Sequence, residues 1–202
     1  WPDQFDFSTE LSKVRAAKPD AVFVFYPGAA GVQFLNQYAQ AGLKGRIPLY
    51  TVYTIDETTL PLQGENAIGV PGAQEWVNDL PNDANRRFVA DYRAKYKATP
   101  SFYGAQAYDA ANLIASAVTA VHGDLRNKEQ LIAAMAKADY PSVRGPYRYG
   151  NNHFAIENFY LQNVVRHPDG TLGLATTATI IKDAVDAFHD KCPLPAPAGS
   201  KP

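Results

Sequence analysis

Three observations predict an α/β fold built on a parallel sheet. Residues 21–26, Ala-Val-Phe-Val-Phe-Tyr, form a near-continuous apolar run, the pattern of a strand covered on both faces. Pro27-Gly28 ends the run and the period changes. Val32, Leu35, Tyr38 and Ala39 then share one helical face, with Gly42 placed as a left-handed cap. A second apolar segment, residues 46–53, follows the helix, and the order strand, helix, strand indicates a βαβ unit. In such sheets ligands bind beyond the carboxyl ends of strands, beside helix N-termini, so residues 26–31 are the candidate site.

The remaining elements follow in order. Residues 1–7 read as irregular or extended. Ser8 or Thr9 suits an N-cap, and Leu11, Val14 and Ala17 form the buried face of a helix that Pro19-Asp20 ends. Residues 54–61 read as a loop and short helical turn, residues 67–70 as a short strand, and residues 71–80 as loop around Trp76. Asn82-Asp83 caps a helix whose inner face is Phe88, Val89, Tyr92 and Tyr96 and whose Arg86, Arg87, Arg93 and Lys95 face water. Pro100 breaks it. A long helix over about 102–121 buries Tyr108, Leu113, Ala117 and Val121 and stops at Gly123. Asn127 caps a third helix with Leu131, Ile132 and Met135 inward. From Tyr140 the chain turns to strands: residues 147–149, a turn at 150–153, a long strand over 158–166, a hairpin turn at Pro168-Asp169-Gly170, and an extended piece over 172–181 before a short helix reaching His189.

Composition narrows the function. The net charge is −1 with both signs interspersed, so no nucleic-acid surface is expected. No apolar run approaches the roughly 18 residues a membrane-spanning helix needs. The chain starts at Trp1 without a leader and reads as a mature chain or a fragment. Cys192 is the single cysteine: a buried thiol or, in an exported protein, a partner for a cysteine outside this stretch. The four histidines show no metal-ligand spacing, His153 reads as a solvated turn residue, and Asp56-Glu57 reads as an exposed helix start. Gly28-Ala-Ala-Gly31 lacks the Gly-x-Gly opening of a dinucleotide loop, and neither a phosphate-loop lysine nor a Gly-x-Ser-x-Gly elbow occurs. Binding rather than catalysis is expected, with no cofactor and no metal.

Several stretches carry a resemblance: Asp6-Phe7-Ser8 before a helix, the run from Lys18-Pro-Asp to Tyr26-Pro-Gly, Gln40-Ala-Gly-Leu43, Phe88-Val-Ala-Asp-Tyr-Arg-Ala-Lys-Tyr96, Pro100-Ser-Phe-Tyr-Gly-Ala-Gln-Ala-Tyr-Asp-Ala-Ala111 and Val143-Arg-Gly-Pro-Tyr147. In this order and spacing the sequence resembles the type I periplasmic solute-binding proteins of branched-chain amino acid-type ABC transporters, over residues 5–165. The resemblance implies two Rossmann-like lobes with parallel sheets, joined by three crossovers, with ligand between them. It covers only the C-terminal half of that pattern. On this mapping residues 1–53 belong to the C-terminal lobe, 54–140 to the N-terminal lobe, 141–190 return to the C-terminal lobe, and 191–202 form a flexible tail. Ligand contacts are implied at Phe7, Tyr26, Pro27, Gly28, Ala29, Ala30 and Tyr53, and from the other lobe at Tyr103. The implied role is capture in the periplasm and delivery to a membrane permease. Missing strand neighbours would invite self-association of a partial chain.

In amino-acid-binding members an acid in the loop after the central strand holds the ligand ammonium. The matching position is about Ala30, and residues 26–31 contain no Asp or Glu. An ammonium there is uncompensated, whereas helix N–H groups favour an anion and Tyr and Phe faces favour a flat ring. The expected ligand is therefore a small aromatic carboxylate of benzoate, hydroxybenzoate or phenylpropenoid type, and the resemblance is nearest to the aromatic-acid-binding branch. A branched-chain amino acid or amide ligand, and a ligand-sensing domain of a receptor or regulator, are the alternatives.

Overall fold

The computed structural model describes residues 5–192 and Leu194. Two compact units emerge. One holds the described residues through Asp79 together with Tyr160–Ala178, and the other holds Leu80–Phe159 and the described residues from Thr179 on. The sequence changes character near residues 54 and 141. The units part elsewhere, after Asp79, Phe159 and Ala178. The reason is pairing: residues beyond 54 still contribute a strand to the first unit's sheet.

In the first unit, α1 (Ser8–Ala17) leads into β1 (Val22–Val24), α2 (Ala29–Gln40) and β2 (Leu49–Val52). β1 and β2 are parallel, with Val22 opposite Leu49 and Val24 opposite Thr51. α3 (Leu60–Gln63) and a 3-10 turn at Gly64–Ala67 precede β3 (Gly72–Gln74), which is parallel to β2. The strand expected at 67–70 is instead this turn, and the pairing falls on residues read as loop. Gly72 runs close to its neighbours there: an added Cβ would meet Gln162 Nε2 and Thr51 Oγ1, each at 3.2 Å. β3 is antiparallel to the 160–162 stretch of β5 (Ala155–Arg166), and β6 (Leu172–Ala184) also pairs with β5 through the turn at Gly170, φ 84°.

One sheet face is buried through Val24, Leu49 and Thr51, and α2 contributes Val32, Phe34, Leu35 and Tyr38 to the core. At β1 the opposite face is open among the described residues. Phe23 is 71% exposed and Phe25 52%, so β1 is not covered on both faces as its composition suggests. At α1 the N-cap is Phe7 rather than Ser8 or Thr9, and Asp6 Oδ1 accepts the Ser8 N–H at 2.9 Å. That bond, and one from the Ser8 hydroxyl, hold the Asp6 carboxyl below its usual pKa. Leu11 is the buried residue of α1, while Ala17 is exposed.

The second unit contains α4 (Asp83–Tyr96), α5 (Phe102–Ala120), α6 (Lys128–Ala136) and β4 (Tyr147–Tyr149), which is antiparallel to residues 155–157 of β5. Asn82 caps α4 by accepting the Asn85 N–H at 2.8 Å, and Asn127 caps α6 through the Gln130 N–H at 3.1 Å. Phe88, Val89, Phe102, Ala105, Leu113 and Ala117 form its core. Tyr96, Tyr108 and Ile132 were expected inward and are exposed, and α6 has no buried residue. Tyr108 still lays its ring on Phe88 at 4.7 Å and Tyr96 on Tyr92 at 4.6 Å, so these rings pack along one edge and meet solvent along the other. The short helix expected before His189 reduces to a 3-10 turn at His189–Lys191. Cys192 is half-buried and free of a disulfide. The expected flexible tail lies outside the described residues, apart from Leu194 and the first two positions.

Candidate functional site

The loop from β1 to α2 is shaped by two glycines that act differently. Gly28 is the N-cap of α2 at φ 67°, ψ −140°, a conformation that L side chains avoid, and nothing lies near its missing Cβ. Gly31 sits inside the helix, where a Cβ would fall 2.1 Å from Tyr26 O and 2.9 Å from Thr54 Cγ2. The helix start is therefore drawn tightly against the end of β1. Tyr26 N–H donates to Thr54 Oγ1 at 3.1 Å, tying this loop to the one after β2.

Beside the loop lies an aromatic cluster. The Phe7 ring is 5.0 Å from Tyr26 and 5.3 Å from Phe34, and Tyr26 is 5.2 Å from Phe34. Phe7 is fully buried and its N–H donates to Gln37 Oε1 at 2.8 Å. It thus supports the Tyr26 ring, and Tyr26, half-buried, presents the accessible part of the cluster. Pro27 and Gly28 are half-buried, Ala29 is exposed and Ala30 is buried. No side chain caps α2 and its first turn holds no acidic residue. A helix start of this kind presents N–H groups and partial positive charge.

Tyr53 stands at the end of β2 with φ 52°, a left-handed conformation for a bulky residue, and its ring meets Phe25 edge-on at 6.1 Å. Tyr103 belongs to the second unit, where it is 49% exposed and its ring lies 4.0 Å from Phe102. The structure thus brings Phe7, Tyr26, Pro27, Gly28, Ala29 and Ala30 together at one strand end, with Tyr53 on the neighbouring strand.

Two residues of this region escape the sequence reading. Phe34 seats both Phe7 and Tyr26, and its spacing of four from Tyr38 was the available signal. Thr54 holds the Tyr26 amide and has no local pattern to mark it. Asp56, read as exposed, is fully buried. Its Oδ1 accepts the Thr58 N–H at 2.6 Å, the Thr58 hydroxyl at 2.5 Å and the Thr59 N–H at 3.2 Å, closing the turn before α3. His153 is exposed, as a turn residue at φ 60°. Among the described residues no group of His, Cys, Asp and Glu could hold a metal, and no helix is long and apolar enough to cross a membrane.

A glycine loop and an uncapped helix start at the carboxyl end of a parallel strand pair make the kind of place where α/β proteins hold ligands. The model of the periplasmic binding protein family matches residues 2–171, and the chain belongs to that family, as a type I member of its branched-chain ABC branch. Members of this family bind substrates and are not enzymes. A Leu/Ile/Val-binding protein homolog of Brucella melitensis is 29% identical over 172 residues, covering 82% of this chain and 44% of the relative. A solute-binding protein of an ABC transporter from Rhodopseudomonas palustris, solved with 3,4-dihydroxybenzoic acid, is 32% identical with a TM-score of 0.77, covering 88% of this chain and 50% of that one. Another from R. palustris, solved with benzoate, is 31% identical with a TM-score of 0.76, over 90% and 51% of the two chains. The chain thus spans about half the length of these relatives.

Proposed function

We propose that the complete protein is the periplasmic solute-binding component of an ABC importer and captures a small aromatic carboxylate for delivery to a membrane permease. The first unit is then part of the C-terminal lobe, and residues 26–30 with Tyr53 form one wall of the site. Tyr103 adds a contact from the N-terminal lobe. The carrying observation is the start of α2, which lacks both a capping side chain and an acid, beside the Tyr26 ring. A carboxylate at a helix start gains about 0.3–1 kcal/mol, up to ~2 when partly buried. A ring against aromatic faces gains about 0.5–1.5 kcal/mol beyond its area burial. An amino acid's ammonium, buried without a carboxylate, costs several kcal/mol. The R. palustris proteins bound to benzoate and 3,4-dihydroxybenzoic acid support this ligand class.

The Leu/Ile/Val-binding name of the Brucella relative favours the second reading, a branched-chain amino acid. Calorimetry on the complete protein with 4-hydroxybenzoate, benzoate and leucine separates the two. Micromolar binding of an aromatic acid, about −8 kcal/mol, with no leucine heat is expected. Tight leucine binding with no aromatic response overturns the proposal.

A further inference from the structure

The loop after β2 is irregular, yet residues 54–56 are fully buried. Loops mostly run over surfaces, because buried backbone groups need partners. Here side chains from other elements supply them. Thr54 O accepts from Gln63 Nε2 of α3 at 2.8 Å, and Ile55 O accepts from Gln162 Nε2 of β5 at 2.8 Å. The Asp56 N–H donates to Thr59 Oγ1 at 3.0 Å. Tyr53, just before, is held at φ 52°. A bulky residue keeps that conformation only where its surroundings over-determine it, and such strain gathers at ligand clamps and other functional sites.

What this loop holds is the Tyr26 amide. β1 ends at Val24, opposite Thr51, so the strand ladder does not fix Tyr26. Thr54 has one hydroxyl proton and gives it to Val52 O at 3.1 Å. The lone pairs of Oγ1 are therefore left for the Tyr26 N–H, also at 3.1 Å. Thr54 O and Cγ2 lie 3.1 and 2.9 Å from where a Gly31 Cβ would fall, so the same residue limits how closely α2 can start. Gln162 is itself fixed, paired opposite Gly72 in the antiparallel register of β3 and β5.

We propose that Thr54 is a positioning residue for the ligand wall, and that Gln63 and Gln162 hold it in place. The contacts run from β5 through Ile55 and Thr54 to the Tyr26 backbone, and so to the Tyr26 ring and the helix start behind it. This rests on the reading that residues 26–30 form one wall of the site. A polar network enclosed in this way is rigid, so the wall is set before ligand arrives.

Calorimetry with 4-hydroxybenzoate on the complete protein, well below its Tm and with folding checked by circular dichroism, tests this. Thr54→Val keeps the shape and removes the acceptor, and binding should weaken about tenfold. Thr54→Ser keeps the hydroxyl and should restore affinity to within about threefold of wild type. Gln162→Met should also weaken binding. Joined to Thr54→Val, it should add no more than about twofold to the loss, because both changes act through one loop. A lowered Tm with unchanged affinity in Thr54→Val, or losses that multiply in the double variant, overturns the proposal.

Exchange of the Tyr26 amide reads the same tie without ligand. It should be at least about tenfold faster in Thr54→Val and in Gln162→Met than in wild type, with the Val89 amide of α4 unchanged. Exchange at the wild-type rate in both variants also overturns the proposal. If the wild-type protein binds leucine and not 4-hydroxybenzoate, the ligand reading fails alone. The same variants titrated with leucine, together with Tyr26 exchange, then decide the positioning role. Gln162→Met lies outside the loop and decides it if Thr54→Val fails to fold.

Discussion

The loop at the start of α2 and the buried cluster around Arg144 are built on opposite principles. In the first, small residues and rings are held by packing: Gly31 against Tyr26 O, and Phe7, Tyr26 and Phe34 against one another. In the second, charge is enclosed. Asp109 on α5 is fully buried and accepts from Ser142 Oγ at 2.5 Å, Val143 N at 3.0 Å and Arg144 Nε at 3.0 Å. Arg144 Nη1 reaches Glu157 at 3.0 Å, and its guanidinium lies 4.2 Å from the Tyr147 ring centroid. Burial lowers the Arg144 pKa, but Glu157, Tyr147 and Asp109 together outweigh it and hold it above its usual value. The packed loop leaves donors to offer a ligand. The charged cluster uses its charges internally and fastens α5 to the strands that follow.

Removing one member of each region exposes this contrast. Arg144→Ala leaves Asp109 buried without its cation and should cost about 3–5 kcal/mol in urea unfolding. The double change Asp109→Leu with Arg144→Leu should recover part of that loss, and equal loss in the double variant would show that the charges are not the cause. Gly31→Ala forces a backbone contact apart and should cost about 1–3 kcal/mol while leaving α4–α6 intact by exchange. An unchanged midpoint would mean that the close approach to Tyr26 is not maintained in solution.

Ala29→Glu sharpens the comparison at the ligand end. The new carboxylate favours the helix start, so stability should hold or rise slightly. A competing anion should weaken aromatic-acid binding by about tenfold, roughly 1.4 kcal/mol. Unchanged affinity would remove the helix start from the site. The smallest effect concerns pH. Burial, then a hydrogen bond with Tyr149, raises the Tyr147 pKa above its ordinary value of 10.0. A raised pKa means that the neutral phenol is favoured in the folded state. That stability is fully present below pH 10 and is lost as pH rises through the folded value. Alkaline unfolding followed at 295 nm should become shallower in Tyr147→Phe, and an identical profile would count against the buried phenol.

How much was readable follows the same division. The candidate loop is one contiguous segment with a stop signal and a change of period, so residues 26–31 stood out. The charge cluster joins positions 109, 142–144 and 157, and no local rule links residues more than thirty positions apart. The same limit hid the packing of Phe7 against Tyr26 and Phe34, and left Asp56 as a surface acid when its carboxylate closes a buried turn.

The sequence by itself determined the order of strands and helices, the caps at Asn82 and Asn127, and the turn at Gly170. Each depends on residues within about four positions, where propensity and hydrogen bonding are local. Only the tertiary structure decided which faces are covered, that the third strand is Gly72–Gln74, and where the units divide. Burial and strand pairing depend on which distant element arrives as a neighbour. For β1 the neighbour on one side is β2, and the other side, with Phe23 and Phe25, stands open among the described residues.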